Sequence, residues 1–178
     1  AKAKLLKARQ SISSFFKVKP QDVIFTSGGT ESMNLLIRGL INPQLKPQII
    51  TSNVEHSCVQ KTLLHLQSLG CQVTFLPVGL KGFVSLEELE AAITPETEFL
   101  IFCAVNSETG AKHDLKAFSD LALKKNIPLL IDGVAQPGKD PFIMYPGILG
   151  AGFSAHKFHG PKGIGFLLFK SNPKIKLT

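Results

Sequence analysis

A lysine in a loop rich in glycine and proline is the first candidate for chemistry in this chain. Lys157 stands in the segment 154–165, SAHKFHGPKGIG, directly after the apolar run 148–153. A lysine in such a loop beside an apolar strand can lose its proton more easily than a solvated one, and a neutral amine can bond covalently to an aldehyde. The alternative is an ordinary surface lysine, and the flanking Phe153 and Phe158 argue against it.

Two upstream features complete a possible cofactor site. The turn 26–31, TSGGTE, places Gly28 and Gly29 between an apolar strand and a helix, where backbone N–H groups and the helix dipole favour a phosphate. Asp132 ends the apolar strand 127–131, so its carboxylate could pair with a ring nitrogen. A phosphate cradle, a carboxylate and an amine are the three groups that pyridoxal phosphate requires. Both upstream features also have a structural alternative, a simple Gly-Gly turn and an Asp that caps the following turn.

A histidine and a cysteine flank the start of another predicted helix. His56 precedes a helix that begins near Ser57, and its imidazole could stack on a planar cofactor and move protons. The alternative is a histidine satisfied by backbone groups at a helix start. Cys58 shares this helix start, where the dipole could lower the pKa of its thiol, but a buried small apolar side chain is the preferred interpretation.

Strand and helix patterns alternate along the chain. The apolar strands are continuous rather than alternating, which indicates an α/β fold with a mostly parallel sheet and helices on both faces. Helices are predicted near 3–16, over 30–40 and 57–69, from Ser85 as a capping box with Glu88, and over 114–125. Strands are predicted over 22–25, 48–51, 72–77, 98–104, 127–131, around 150–153 and over 164–169.

The candidate residues follow the predicted strands. Residues 26–30 come after one strand, Ser107 after a second, Asp132 after a third, and His156 and Lys157 after a fourth. Ligands gather at the carboxyl ends of the strands in an open parallel sheet, so these residues are expected to meet at one edge.

Composition limits the possible functions. The chain has 178 residues and a net charge of +7, and the basic residues crowd its N-terminal segment. A solvated helix face explains this cluster better than a nucleic-acid interface, because no groove-reading or base-stacking motif accompanies it. No apolar run is long enough to span a membrane. The three cysteines show no metal-binding spacing, so no metal site is predicted, and their odd number fits a reducing cytoplasm.

Five motifs in order resemble the cysteine desulfurases of the class V aminotransferase family, which are fold type I pyridoxal-phosphate enzymes. The resemblance covers nearly the whole chain, and the lysine motif is its most specific part. The motifs are FTSGGTESMN at 25–34, EH at 55–56, NSETG at 106–110, IDG at 131–133 and SAHKFHGPKGIG at 154–165.

The resemblance implies roles for residues at the matching positions. Lys157 would hold the cofactor covalently and act as acid and base, His56 would stack on the ring and assist proton transfer, and Asp132 would hold the pyridine nitrogen. The phosphate would be held by Gly29, Thr30, Ser154 and His156. The implied reaction removes sulfur from L-cysteine and gives alanine and an enzyme persulfide for iron–sulfur cluster or thio-cofactor assembly.

The chain departs from the family pattern at two positions near the ring. The family usually has Asn where this chain has Ser107, and Asn106 is one residue out of register. The family usually has Gln at the position of Ala135, and Gln136 follows one residue later. We therefore expect Ser107 and Gln136 to face the cofactor, the latter through a shift of the backbone by one residue.

The resemblance also implies what surrounds this domain. Residues 1–178 correspond to the cofactor-binding large domain, whereas the nucleophilic cysteine and the substrate-binding arginine of the family lie further towards the C-terminus, in or near a small domain. A homodimer, a sulfur-acceptor or scaffold protein and a cytoplasmic location are implied. Two alternatives stay open: another class V enzyme, such as a selenocysteine lyase or an aminotransferase, and a non-catalytic partner domain in sulfur transfer.

Overall fold

A single seven-stranded sheet organises the protein. The computed structural model describes residues 1–170, so the last residues of the predicted domain, 171–178, lie outside the described part. The strands are β1 Val23–Thr26, β2 Gln48–Ser52, β3 Gln72–Leu76, β4 Thr97–Cys103, β5 Leu129–Asp132, β6 Ile148–Ser154 and β7 Gly165–Phe169. The helices are α1 Lys2–Phe16, α2 Gly29–Leu40, α3 Ser57–Ser68, α4 Leu86–Ala92 and α5 Leu115–Lys125.

The sheet is mostly parallel, as the sequence predicts. Its strand order is β1-β7-β6-β5-β4-β2-β3. Strand β7 runs antiparallel to both of its neighbours, and the other strand pairs are parallel. Because β1 and β6 both oppose β7, they share one direction, and the carboxyl ends of β1, β2, β4, β5 and β6 lie at the same edge.

Local sequence signals account for the helix ends. Ser85 and Glu88 form the predicted capping box of α4: the Glu88 N–H donates to Ser85 Oγ at 3.1 Å, and the Ser85 N–H donates to Glu88 Oε2 at 2.9 Å. Asp114 caps α5 by accepting the Ala117 N–H at 3.0 Å. Strand β5 begins later than predicted, after Pro128, whose nitrogen has no hydrogen to donate to a ladder.

Helices cover both faces of the sheet and bury an apolar cluster on each. On one face α1, α4 and α5 pack through Phe16, Leu89 and Phe118. On the other face α2 and α3 contribute most of the helical side chains, which are Met33, Leu36, Ile37, Val59, Leu63 and Leu66. Continuous apolar strands are therefore explained, because both faces of each central strand are buried.

Two glycines in β6 let α2 lie very close to the sheet. A Cβ atom on Gly150 would come within 2.6 Å of Leu36 Cδ2, and one on Gly152 within 2.7 Å of Met33 Sδ. A larger residue at either position would push the helix outward. This close packing places the N-terminus of α2 beside the carboxyl end of β6.

Among residues 1–170, no helix has the length and apolar character needed to cross a membrane.

The aromatic cluster around Phe153 makes a stability prediction. Phe153 is fully buried and its ring centroid lies 4.9 Å from those of Phe16 and Phe166. Phe153→Ala removes these contacts and leaves a cavity, so the free energy of unfolding should fall by about 3–5 kcal/mol in urea titrations. Phe15→Ala is the matched control, because Phe15 is 68% exposed. Equal losses in the two variants would contradict this description of the core.

Candidate active site

A cavity of about 230 Å³ opens at the carboxyl edge of the sheet. All but one of the site residues predicted from the sequence line it: Gly29, Thr30, His56, Ser107, Asp132, Ser154, His156 and Lys157. They come from the ends of β1, β2, β4, β5 and β6 and from the loops that follow those strands. The expectation that these strand ends meet at one edge is therefore correct.

The N-terminus of α2 forms one wall of the cavity. The first intrahelical bond runs from the Ser32 N–H to Gly28 O, so the earlier amides of the helix have no acceptor within it. A Cβ atom on Gly29 would come within 2.6 Å of Val134 Cγ2, which shows how closely the helix approaches the turn after β5. Ser154 Oγ lies 2.9 Å from His156 Nδ1 on the adjoining wall. Free amides, a hydroxyl and an imidazole together suit an anionic group such as a phosphate.

His56 both caps a helix and lines the cavity. Its Nδ1 accepts the N–H of Cys58 at 3.2 Å, and the Cys58 Sγ lies 3.0 Å from the same nitrogen. Because Nδ1 acts as an acceptor, a neutral His56 carries its proton on Nε2. The alternative considered from the sequence was a histidine whose ring only caps the helix. One ring nitrogen does cap the helix, but the ring also lines the cavity.

Asp132 is a buried carboxylate at the cavity floor. The residue is 5% exposed, and its Oδ1 accepts the Val134 N–H at 3.0 Å. Burial raises the pKa of Asp132 above its ordinary value, while the Val134 N–H and the nearby His56 act in the opposite direction. A cation or a protonated ring nitrogen in the cavity would remove the cost of ionising this carboxyl group.

A second buried carboxyl group, that of Glu55, lies near Asp132 but does not line the cavity. Burial raises the pKa of Glu55 to about 8, although Ser52 Oγ donates to Glu55 Oε1 at 2.6 Å. The charge of Asp132 also acts in the raising direction. Burial likewise raises the pKa of the Cys103 thiol, which hydrogen-bonds with Glu55. At neutral pH the site therefore holds Glu55 mainly in its neutral form.

Cys58 has a thiol of low acidity. Burial raises its pKa to about 11, and the charge of Asp132 adds to this effect. The sequence suggested that the helix dipole could lower the pKa of this thiol, but burial has the larger effect and raises it. The thiol is half-buried in the wall of the cavity and remains almost entirely protonated at neutral pH.

Lys157 lies on the short 3-10 helix Ala155–Phe158, directly after β6. Its side chain is exposed and lines the cavity. Of the two flanking aromatics, Phe153 is buried in the core and Phe158 is half-buried against Phe166. The aromatic residues thus anchor the loop to the sheet, and the amine is left free to reach a ligand.

Asn106 holds the wall that carries Ser107. Its Nδ2 donates to Val54 O at 3.0 Å, and its Oδ1 accepts the N–H groups of Glu108 and Thr109, each at 2.9 Å. Asn106 thereby ties the loop after β4 to the loop that carries His56. The Asn106 amide is occupied by these bonds, and both Asn106 and Ser107 line the cavity.

Gln136 does not reach the cavity, contrary to our expectation. Its Nε2 donates to Pro141 O at 2.8 Å and to Asp140 Oδ2 at 3.2 Å, and the side chain is buried on the far side of the loop. Ala135 occupies the cavity wall instead. The Val134 N–H donates to Asp132 Oδ1 in the turn that precedes Ala135.

Several lining residues were not predicted from the sequence. They are Val54, Cys103, Val105, Val134 and Ala135, together with Asn106, which the sequence analysis noted only as out of register, and Cys58, for which it preferred an apolar role. Each lies at the end of a strand or a few residues after it, so this position was the signal available. The residue types of the small apolar members gave no signal of a site, because such residues are common in any protein core.

Comparison with known proteins identifies the family. The sequence profile of the family described as Aminotransferase class-V matches residues 1–178.

The chain belongs to the class-V aminotransferase family.

Curated relatives within this family are cysteine desulfurases. The human cysteine desulfurase is 33% identical over 180 residues, which cover 99% of this chain and 39% of the relative. Cysteine desulfurase IscS of Shewanella amazonensis is 36% identical over 173 residues, which cover 96% of this chain and 43% of the relative. The chain thus spans less than half the length of these class-V relatives.

Solved structures of the family share this fold. A structure described as SspA in complex with cysteine has a TM-score of 0.91 and 33% identity, covering 97% of this chain and 51% of its own. A NifS-like protein has a TM-score of 0.90 and 34% identity, covering 94% of this chain and 48% of its own.

The close approach of Gly29 to Val134 can be tested by a paired substitution. Gly29→Ala places a methyl group where Val134 Cγ2 lies 2.6 Å away, so the free energy of unfolding should fall by about 1–3 kcal/mol. Val134→Ala removes that methyl partner, and the double variant should recover part of the loss. The measurement is urea unfolding of all four proteins. If the two losses in unfolding free energy simply add in the double variant, the contact between residues 29 and 134 does not determine the cost of the added methyl group.

Proposed function

We propose that this chain is the pyridoxal-phosphate-binding part of a cysteine desulfurase. The cavity is the observation that carries the proposal, because it gathers an amine, a buried carboxylate, an imidazole and a helix N-terminus around one space. Its relatives support the same function, since those named above are cysteine desulfurases and the SspA structure contains cysteine. By resemblance, the large domain of such an enzyme corresponds to residues 1–178.

The residues present fit pyridoxal phosphate. The absence of a Cβ at Gly29 keeps the N-terminus of α2 close to the Asp132 turn, so one rigid ligand can contact both. The phosphate would be held by Gly29, Thr30, Ser154 and His156. Asp132 would pair with the pyridine nitrogen, because burial disfavours its lone carboxylate and raises its pKa, and a cationic partner would offset that cost. Lys157 would hold the aldehyde carbon, and Ser107 would lie near the ring.

The chemistry divides between the cofactor and the chain. Pyridoxal phosphate, when bound, supplies an electron sink for the bonds of the substrate's amino-bearing carbon. Lys157 would bind and position it, and its amine can accept and return a proton. His56 holds a proton on Nε2 while its Nδ1 stays fixed by the Cys58 N–H. Asp132 would hold the ring from the buried side.

The substrate and the sulfur acceptor belong to the proposal for the whole protein. L-Cysteine and an acceptor thiol would give alanine and a persulfide, with the carbon–sulfur bond broken and the sulfur atom passed to the thiolate. Cys58 is unsuited to that acceptor role because its thiol is held protonated by a pKa of about 11. A nucleophilic cysteine elsewhere in the protein, a homodimer, a scaffold protein and a reducing cytoplasm complete the proposed setting.

One observation favours a second candidate, a non-catalytic partner domain in sulfur transfer. Ala135 places a methyl group on the cavity wall where the family usually has an amide, and Ser107 replaces a second amide. Two lost contacts to the ring would weaken cofactor binding without removing Lys157, Asp132 or His56. The desulfurase remains the preferred function, because a site that had lost its role would not be expected to keep all three.

Replacement of the lysine tests the proposal directly. The wild-type chain mixed with pyridoxal phosphate should develop a visible absorption band. Borohydride reduction should then attach the cofactor permanently, and mass spectrometry should locate the attachment at Lys157. Lys157→Ala should lose both signals, because no other amine of the described chain lines the cavity.

Lys162→Ala is the matched control, since Lys162 is an exposed lysine of the same loop that does not line the cavity. It should retain the band and the attachment at Lys157. Attachment to Lys162 in a folded wild-type chain, or no band in any protein, would count against the cofactor site and move the non-catalytic domain to first place.

A further inference from the structure

Three side chains of the cavity form a cluster of metal-ligand type. His56, Cys58 and Asp132 each offer one ligand atom, and these atoms lie within 4.8 Å of one another. The first two flank the start of α3, whereas the third ends β5. The sequence did not predict a metal site, because a ligand set split between positions 56, 58 and 132 has no recognisable spacing.

The ligand types suit zinc better than magnesium or calcium. Imidazole nitrogen, thiolate sulfur and carboxylate oxygen are ordinary zinc ligands, and thiolate in particular selects soft or borderline metals. Tetrahedral coordination with Zn–N of about 2.1 Å and Zn–S of about 2.3 Å separates ligand atoms by about 3.5 Å. The His56 Nδ1 to Cys58 Sγ distance of 3.0 Å and the cluster limit of 4.8 Å lie on either side of that value.

Small side-chain rotations would bring the three atoms around one ion. His56 is exposed and Cys58 is half-buried at the edge of the apolar cluster under α2 and α3, so neither side chain is fully enclosed. Asp132 is buried and held through Oδ1 by the Val134 N–H, which leaves Oδ2 for a metal. Three protein ligands leave a fourth position to water, as in zinc sites that are open to the solvent.

We propose that the cofactor-free chain binds Zn²⁺ through His56, Cys58 and Asp132, and that the metal and pyridoxal phosphate exclude one another. The exclusion rests on the proposed function, because His56 and Asp132 are the residues that would also contact the ring. The metal site itself depends only on the three side chains.

The charges in the cavity favour such an ion. A thiolate and a carboxylate together balance Zn²⁺, and the Cys58 thiol releases its proton to the solvent when the metal binds. If Nδ1 is the coordinating nitrogen, the hydrogen bond from the Cys58 N–H is given up. The loss of one helix-capping bond is small beside the binding energy of a thiolate-containing zinc site.

Cobalt is the probe for the metal site, because Co²⁺ occupies zinc sites and a thiolate ligand gives it a near-ultraviolet charge-transfer band. The tag-free chain without pyridoxal phosphate should show this band on titration with Co²⁺, and Zn²⁺ should abolish it. Cys58→Ala should remove the band and weaken Co²⁺ binding at least about tenfold. Cys71→Ala should retain both, since Cys71 is buried within the apolar cluster beneath α2 and α3.

Asp132→Asn provides a second variant that keeps the shape of the side chain. It should retain the thiolate band but weaken binding by a similar factor, with folding of each variant checked by circular dichroism. A band that persists in Cys58→Ala, or no Co²⁺ binding by the folded wild-type chain, would overturn the metal site.

Competition with the cofactor is the second arm. Pyridoxal phosphate should displace Co²⁺ from the wild-type chain, and the apparent dissociation constant of Co²⁺ should rise in proportion to the cofactor concentration. Simultaneous binding would overturn the exclusion. A chain that binds Co²⁺ through Cys58 but shows no absorption change with pyridoxal phosphate alone would refute the proposed function and leave the metal site standing.

Discussion

The close packing of α2 against β6 sets the geometry of everything else at the site. Gly150 and Gly152 leave no side chain between the helix and the strand, so Leu36 and Met33 fill that space directly. The helix N-terminus is thereby held beside the end of β6, where Ser154 lies. The first amides of α2 and the Lys157 loop thus become neighbours on the wall of the same cavity. If the helix were displaced outward, the phosphate cradle and the lysine would separate.

Buried acidic groups lie at and near the cavity. Burial raises the pKa values of the Asp132 carboxyl group and the Cys103 thiol, which line the cavity, and of the neighbouring Glu55 carboxyl group. Burial makes a single unpaired carboxylate unfavourable here, whereas a carboxylate paired with a cation is tolerated. The protonated ring nitrogen of the proposed cofactor and the proposed divalent metal would each supply that cation, so the two would compete for the same carboxylate.

The sequence predicted the fold well because the chain is locally consistent. The central strands β5 and β6 are mostly apolar, and the caps at Ser85 and Asp114 stand where the helices begin. The gathering of Ser107, Asp132 and Lys157 was predicted from their positions after parallel strands, whose carboxyl ends meet at one edge. Two features escaped this reasoning. The direction of β7 depends on tertiary packing, and the side of the loop that Gln136 occupies depends on its bonds to Asp140 and Pro141.

A crystal structure of the chain grown with pyridoxal phosphate tests the central claim most directly. The account predicts density in the cavity with the phosphate against the first amides of α2, the ring nitrogen within hydrogen-bonding distance of Asp132 and continuous density to Lys157. A cofactor bound to Lys157 with its phosphate away from α2, or bound at another lysine, would contradict the account.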